Sequence, residues 1–295
     1  MRRLPSFEHF VVIVWIGVLV NFASGALVRV TNSGLGCPDW PLCHGRPTPP
    51  FAGHAVIEYS NRILAGGVVI LGILLAYRAW SLRHRWFAVV LAVVLFGQIP
   101  LGALTIRLDL HPIAVASHYM LAILALTLST ILLVDVHLTP AGEADRPAWL
   151  MPATIVFLAW GLALIISGTI VTTSGPHPGA DHVPRLYSLV NVAYWHVRIA
   201  VSYVVFLAAF LFLISRLDVT NRRLPRLAWA VVVLTALQIL IGETQWRDQL
   251  PWYLVGAHAT NAAMLWGALV GLGRSLVPAT AVSPSRAPSR SPARA

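Results

Sequence analysis

The chain has 295 residues, of which 57% are hydrophobic and only 11% charged, and its mean hydropathy is +0.74. A soluble globular domain carries about a quarter charged residues, so a water-soluble fold is excluded. The formal charge of +10 comes from 21 arginines and no lysine. Without a compact basic domain this excludes a nucleic-acid-binding protein.

Taken in chain order, eight apolar stretches are predicted to cross a membrane as helices, at about 10–28, 61–80, 86–106, 113–134, 148–171, 190–214, 227–244 and 252–272. Each is long enough as a helix for a ~30 Å hydrocarbon core. The first is too long and too poorly flanked for a cleaved signal peptide, and no small-residue cleavage site follows it. The expected fold class is an all-α integral membrane protein with eight transmembrane helices. Eight spans put both termini on one side. Of the 21 arginines, 14 fall on that side, so the positive-inside rule places both termini in the cytoplasm of a multi-pass cell-membrane protein.

The loop after the first span holds the only two cysteines, Cys37 and Cys43, in "GCPDWPLCHG". Two thiols six residues apart on the outer, oxidising side fit a disulfide, either a structural clip or a redox-active pair. The second span opens on "EYSNR", which brings Glu58, Asn61 and Arg62 to the edge of an apolar helix. Ionisable groups at such places are functional candidates.

The third and fourth spans reveal an internal repeat. "GQIPLGALTIRLDLHPIAVASH" at 97–118 aligns with "LQILIGETQWRDQLPWYLVGAH" at 237–258 without a gap. The shift pairs Gln98 with Gln238, Gly102 with Gly242, Arg107 with Arg247 and His118 with His258. "SGALVRVT" at 24–31 likewise matches "SGTIVTTS" at 167–174, and "EYSNR" matches "AYWHV" at 193–197. Asn61 therefore stands where the second half has His196. The expected organisation is two pseudo-symmetric four-helix bundles of shared orientation, residues 1–140 and 141–274. A Ser-, Pro- and Arg-rich cytoplasmic tail at 275–295 is expected to be disordered.

Eleven histidines are present, and most sit at helix ends or in loops. His118, His196 and His258 instead fall within apolar helices near the outer face. Two neutral imidazoles, His196 and His258, from two helices of one bundle suit axial ligation of haem iron. Zinc would want a third or fourth donor. Arg198 and Arg247 are candidates to pair with haem propionates. In the first half, the group expected opposite His118 is an amide, a poor haem ligand. That half is either five-coordinate, ligated by another residue, or open to a guest porphyrin.

These residues carry a resemblance to the haem A synthases, membrane enzymes that convert haem O to haem A for cytochrome oxidase. It rests on the eight spans, the two halves, "GLGCPDWPLCHG", "EYSNR" and the three intramembrane histidines. The resemblance implies a haem b cofactor in the C-terminal half at His196 and His258. It implies a haem O substrate site in the N-terminal half, with Glu58, Asn61, Arg62 and His118, both sites lying towards the outer face. The implied reaction is oxidation of a ring methyl to a formyl group by successive hydroxylations, with oxygen from water. Many family members have histidine where this chain has Asn61, and His111 or His54 is a candidate substitute ligand.

A carboxylate at Glu58 would stabilise the developing cation and act as general base. The alternative is an ion pair with Arg62 one turn later, unless Arg62 binds a propionate. Implied partners are a prenyl-transferring haem O synthase, an electron acceptor and membrane lipid, and a homo-oligomer is compatible with them. A haem b electron carrier would use the same histidines without needing Glu58, and a repeat-built transporter would need no haem.

Overall fold

A computed structural model describes residues 6–137, 147–217 and 224–277. The expected boundary at 140/141 and most of the tail lie outside these residues. Among the described residues the chain forms eight helices: α1 Phe7–Val30, α2 Gly53–Arg78, α3 Arg85–Arg107, α4 Pro112–His137, α5 Leu150–Ser174, α6 Leu189–Ser215, α7 Leu224–Arg247 and α8 Trp252–Leu276. The helices have 23 to 27 residues, roughly 35 to 40 Å at 1.5 Å per residue.

Seven of the eight are long and apolar enough to cross a membrane. The exception, α8, carries His258, Thr260, Asn261 and four glycines. It packs against α1, α4, α5 and α7, and a helix surrounded by protein does not need a fully apolar surface. The chain is therefore a multi-pass membrane protein of the expected class.

In the first bundle α1–α2, α2–α3, α3–α4 and α1–α4 pack side by side and close a ring. In the second, α5–α6, α7–α8 and α5–α8 pack, but α6 and α7 make at most a marginal contact. The two halves meet where α8 lies against α1 and α4, and where α4 touches α5.

The repeat is visible in the backbone. Asp109 and Leu110 both have positive φ, at 48° and 56°, and their counterparts Gln249 and Leu250 both have 62°. The Leu110 amide donates to Thr105 O at 2.8 Å, and the Leu250 amide to Gln245 O at 2.6 Å. Left-handed leucines are uncommon; finding the same pair at both ends of a 140-residue shift marks one design used twice. Leu110 wedges between Gly34 and Gly179, where an added Cβ would meet its Cδ1 at 2.7 and 3.1 Å. Gly179 has φ +104°, a conformation open to glycine alone at low cost.

One boundary differs from expectation. Helix α2 starts at Gly53, eight residues before the predicted 61, so Glu58 and Asn61 stand inside the helix and not at its head. The added turns, residues 53–60, carry one charged residue, Glu58, and it is paired with Arg62 one turn further on.

Candidate functional site

In each half the candidate ligand positions are built on the same local device, a ring or amide laid against a glycine of the preceding helix. A Cβ on Gly168 of α5 would lie 3.1 Å from His196 Cε1, and one on Gly242 of α7 would lie 3.0 Å from His258 Cε1. In the first bundle the same test puts Gly102 of α3 at 3.3 Å from His118 Cε1 and Gly25 of α1 at 4.0 Å from Asn61 Oδ1. Only glycine lets helix and imidazole approach this closely. The sequence signal was present, since Gly102/Gly242 and Gly25/Gly168 are repeat partners, but alignment alone does not say what a glycine faces.

The donors around the second pair set the proton positions. Ser167 Oγ donates to Leu164 O at 2.8 Å and lies 2.8 Å from His196 Nδ1. Its one proton being used, the hydroxyl accepts from His196 Nδ1–H, which leaves the Nε2 lone pair free. His258 Nε2 accepts from the Gln238 amide at 3.0 Å. Gln238 is in turn fixed by Asn261, whose Nδ2 donates to Gln238 Oε1 at 2.7 Å and to Leu234 O at 3.0 Å. His258 Nδ1 is enclosed without a partner. The two imidazoles are close enough to interact electrostatically. Among the described residues no group of three or more His, Cys, Asp or Glu side chains converges on a metal-sized site, so the pair stands as a pair.

The first bundle differs in its polar groups. Asn21 Oδ1, Asn61 Oδ1, Gln98 Nε2 and His118 Nδ1 are all enclosed without a hydrogen bond. Position 121, which aligns with Asn261, is a leucine, so nothing equivalent orients Gln98. His54 Nδ1 is held 3.0 Å from Ser33 Oγ, and His111 Nδ1 lies in the α3–α4 turn, 3.4 Å from the Ile113 amide.

Glu58 and Arg62 are an ion pair at 2.5 Å, and Glu58 is only 4% exposed. Glu58 Oε2 also accepts the Cys37 amide at 2.7 Å. Both terminal nitrogens of Arg62 are engaged by the cysteine loop, donating to Cys37 O at 2.8 Å, Leu42 O at 2.9 Å and Asp39 O at 3.0 Å, while its Nε is enclosed without a partner. Cys37 and Cys43 are joined in a disulfide, both buried. The Asp39 carboxylate closes the loop by accepting the amides of His44 at 2.6 Å and Gly45 at 2.7 Å. The Gly45 amide foremost holds its carboxyl below the usual carboxylate range. A depressed carboxyl contributes at neutral pH and is lost as pH falls through its folded value. So of the two readings for Arg62, the structure realises the ion pair and the loop clasp.

The other two arginines expected to serve propionates are engaged elsewhere. Arg198 stacks over Tyr194 at 3.8 Å to the ring centroid, with Trp195 at 5.5 Å, on the exposed face of α6. Arg247 pairs with Glu243 at 2.5 Å and is 75% exposed. Being two residues from His196, Arg198 points to the opposite side of its helix.

A Gly242→Ala substitution should destabilise the second bundle. The imidazole must yield by a few tenths of an ångström, and such overpacking costs about 1 to 3 kcal/mol. Gly67→Ala, with nothing within 4 Å of the added Cβ, should be neutral or mildly stabilising. Thermal unfolding in detergent compares the two; equal midpoints would show that the close approach carries no constraint.

Comparison with known proteins gives a consistent picture. The chain matches the COX15-CtaA family, described as cytochrome oxidase assembly protein, over residues 8–270. It is 33% identical over 221 residues to the heme A synthase of Alkalihalophilus pseudofirmus, covering 66% of this chain and 71% of that protein. With the heme A synthase of an Exiguobacterium species it shares 25% identity over 286 residues, covering 91% and 89%. A shorter match to the heme A synthase of Bacillus pumilus has 35% identity over 121 residues, and the chain there spans 39% of that protein's length.

Proposed function

This chain belongs to the COX15-CtaA family of cytochrome oxidase assembly proteins, and from that premise we propose that it is a haem A synthase. It converts haem O to haem A by oxidising one ring methyl to a formyl group through successive hydroxylations. The observation that carries the reading is the glycine-cradled pair His196 and His258, repeated in the first bundle as Asn61 and His118.

The second bundle fits a bis-histidine haem b. Each imidazole lies against a glycine, His196 offers a free Nε2 lone pair, and α6 and α7 make at most a marginal contact. His258 becomes a ligand when Gln238 releases its Nε2. Bound there, haem b supplies one-electron transfer. The first bundle then receives haem O. Its four unpartnered polar atoms are a standing cost of about 1 to 3 kcal/mol each unless a guest or water satisfies them. With Asn61 opposite, His118 is the one imidazole of that pair and would hold the substrate on this side.

Glu58 is the proton acceptor. A carboxylate offers about four lone-pair sites, and Cys37 and Arg62 use two. Each hydroxylation joins a water oxygen to the methyl carbon and releases two protons and two electrons. Glu58 takes the protons one at a time and passes them to water, and the electrons go to a membrane acceptor. The hydrate left by the second hydroxylation loses water to give the formyl group. The cysteine loop keeps Glu58 oriented at this end. By the arginine distribution both termini are cytoplasmic in a cell membrane, and the haem sites lie towards the outer face. A prenyl-transferring synthase must provide haem O.

The test is expression in a host that makes haem O but no haem A, followed by chromatography and mass detection of extracted haems. Haem A is the expected product. Resident haem b without haem A or a hydroxylated intermediate, given a confirmed haem O supply and an acceptor, would instead make this an electron carrier that lost its active site at Asn61.

A further inference from the structure

Arg29 and Arg185, at the cysteine-loop end of the molecule, are among the described arginines that form no ion pair with a carboxylate. Arg29, in the last turn of α1, donates through Nη2 to Thr172 O of α5, and its Nε is enclosed without a partner. Arg185, between α5 and α6, donates from Nη1 to Val183 O at 2.8 Å. It lies near enough to Arg29 for their charges to interact. The ion pairs among the described residues involve Arg62, Arg247 and Arg274, so neither of these two is neutralised. Like charges at a partly desolvated junction are costly unless an anion shares them.

Arg185 also forms one wall of a cavity of about 450 Å³, together with Leu189, Trp246, Gln249 and Leu250. This cavity opens between the ends of α5, α6 and α7, on the side where α6 and α7 part. Leu189 precedes His196 by two helical turns on α6, about 10 Å along the axis. Charge, apolar wall and distance therefore meet at one end of the histidine pair.

We propose that Arg185, backed by Arg29, is the carboxylate clamp of the second bundle and receives the propionate groups of its porphyrin. The inference rests on the haem b reading above. An iron porphyrin is an apolar disc with both carboxylates on one edge. Held by His196 and His258, it must turn that edge towards an end of the bundle that offers donors. Leu189, Trp246 and Leu250 suit the disc, while Arg185 and Gln249 suit the carboxylates. Arg198 and Arg247 are already engaged on the exposed surface. The repeat adds a reason for Arg29: its counterpart is Thr172, the residue it bonds, so the second half lacks its own arginine there and borrows one from the first.

The test uses the full chain, haem-depleted in detergent and titrated with haem b or with its dimethyl ester, whose propionates carry no charge. Wild-type protein should prefer haem b by roughly tenfold, the worth of one charge-assisted hydrogen bond. Arg185→Gln should lose that preference while still binding the ester as wild type does. Arg185→Lys should recover part of it, because charge returns without the bidentate fork. An undiminished preference in Arg185→Gln overturns the clamp alone. Failure of wild-type protein to bind either porphyrin with a low-spin spectrum overturns the haem b reading and the clamp with it.

Discussion

His258→Ala is expected to lose the resident haem b and its low-spin spectrum. Removing an outer-shell partner of a metal ligand already costs roughly 10- to 100-fold in affinity, and removing the ligand itself should cost more. His258 belongs to a chain of contacts, Asn261 to Gln238 to His258, that fixes one ring nitrogen. The alanine variant leaves Gln238 with an unsatisfied donor but removes no side chain from the packed core around Tyr203, Phe157 and Phe210. The helices should therefore stay assembled while haem is lost, which absorption spectra and a pyridine haemochrome assay on the purified protein separate. A retained low-spin spectrum would remove His258 from the ligand set.

Glu58→Gln is the second large effect. The amide side chain can still accept the Cys37 amide, so the cysteine loop keeps its anchor, but the charge opposite Arg62 and the proton-accepting oxygen are gone. General acid–base catalysis is worth about 100- to 10,000-fold. Haem A formation should fall by at least about 100-fold with haem b content unchanged. Formation of haem A at the wild-type rate would reduce Glu58 to a loop anchor. Mass analysis of the Cys37–Cys43 disulfide in the same preparation checks that the loop has stayed closed.

The site was legible to different depths. His118, His196 and His258 stood out because imidazoles are rare in apolar helices, and the repeat paired two of them across the halves. Asn61 stood out for the same reason, as the member of the alignment that broke it. The pairing of Glu58 with Arg62 was one of two readings, and a four-residue spacing on a helix could not choose between them. The loop chose: three backbone carbonyls from Cys37, Asp39 and Leu42 gather on one guanidinium, and those carbonyls have no signature in the sequence. Arg198 and Arg247 lie near the histidines along the chain but on exposed faces in the fold, whereas Arg185, distant from His258 in sequence, is brought to the cavity by folding.

The sequence by itself determined the class of this protein, its eight helices, their grouping in two halves and the identities of the intramembrane imidazoles. These depend on sums over one segment or on collinear comparison of two, and neither needs to know how a helix is turned. Tertiary structure decided which glycine each ring rests on, that α6 and α7 part while α2 and α3 close, and that Arg29 and Arg185 share one end of the second bundle. The physical reason lies in the bilayer: a membrane helix is apolar on every side, so periodicity does not mark its inward face. Rotation about the helix axis is then fixed by close packing of small residues and a few polar contacts between segments far apart in the chain.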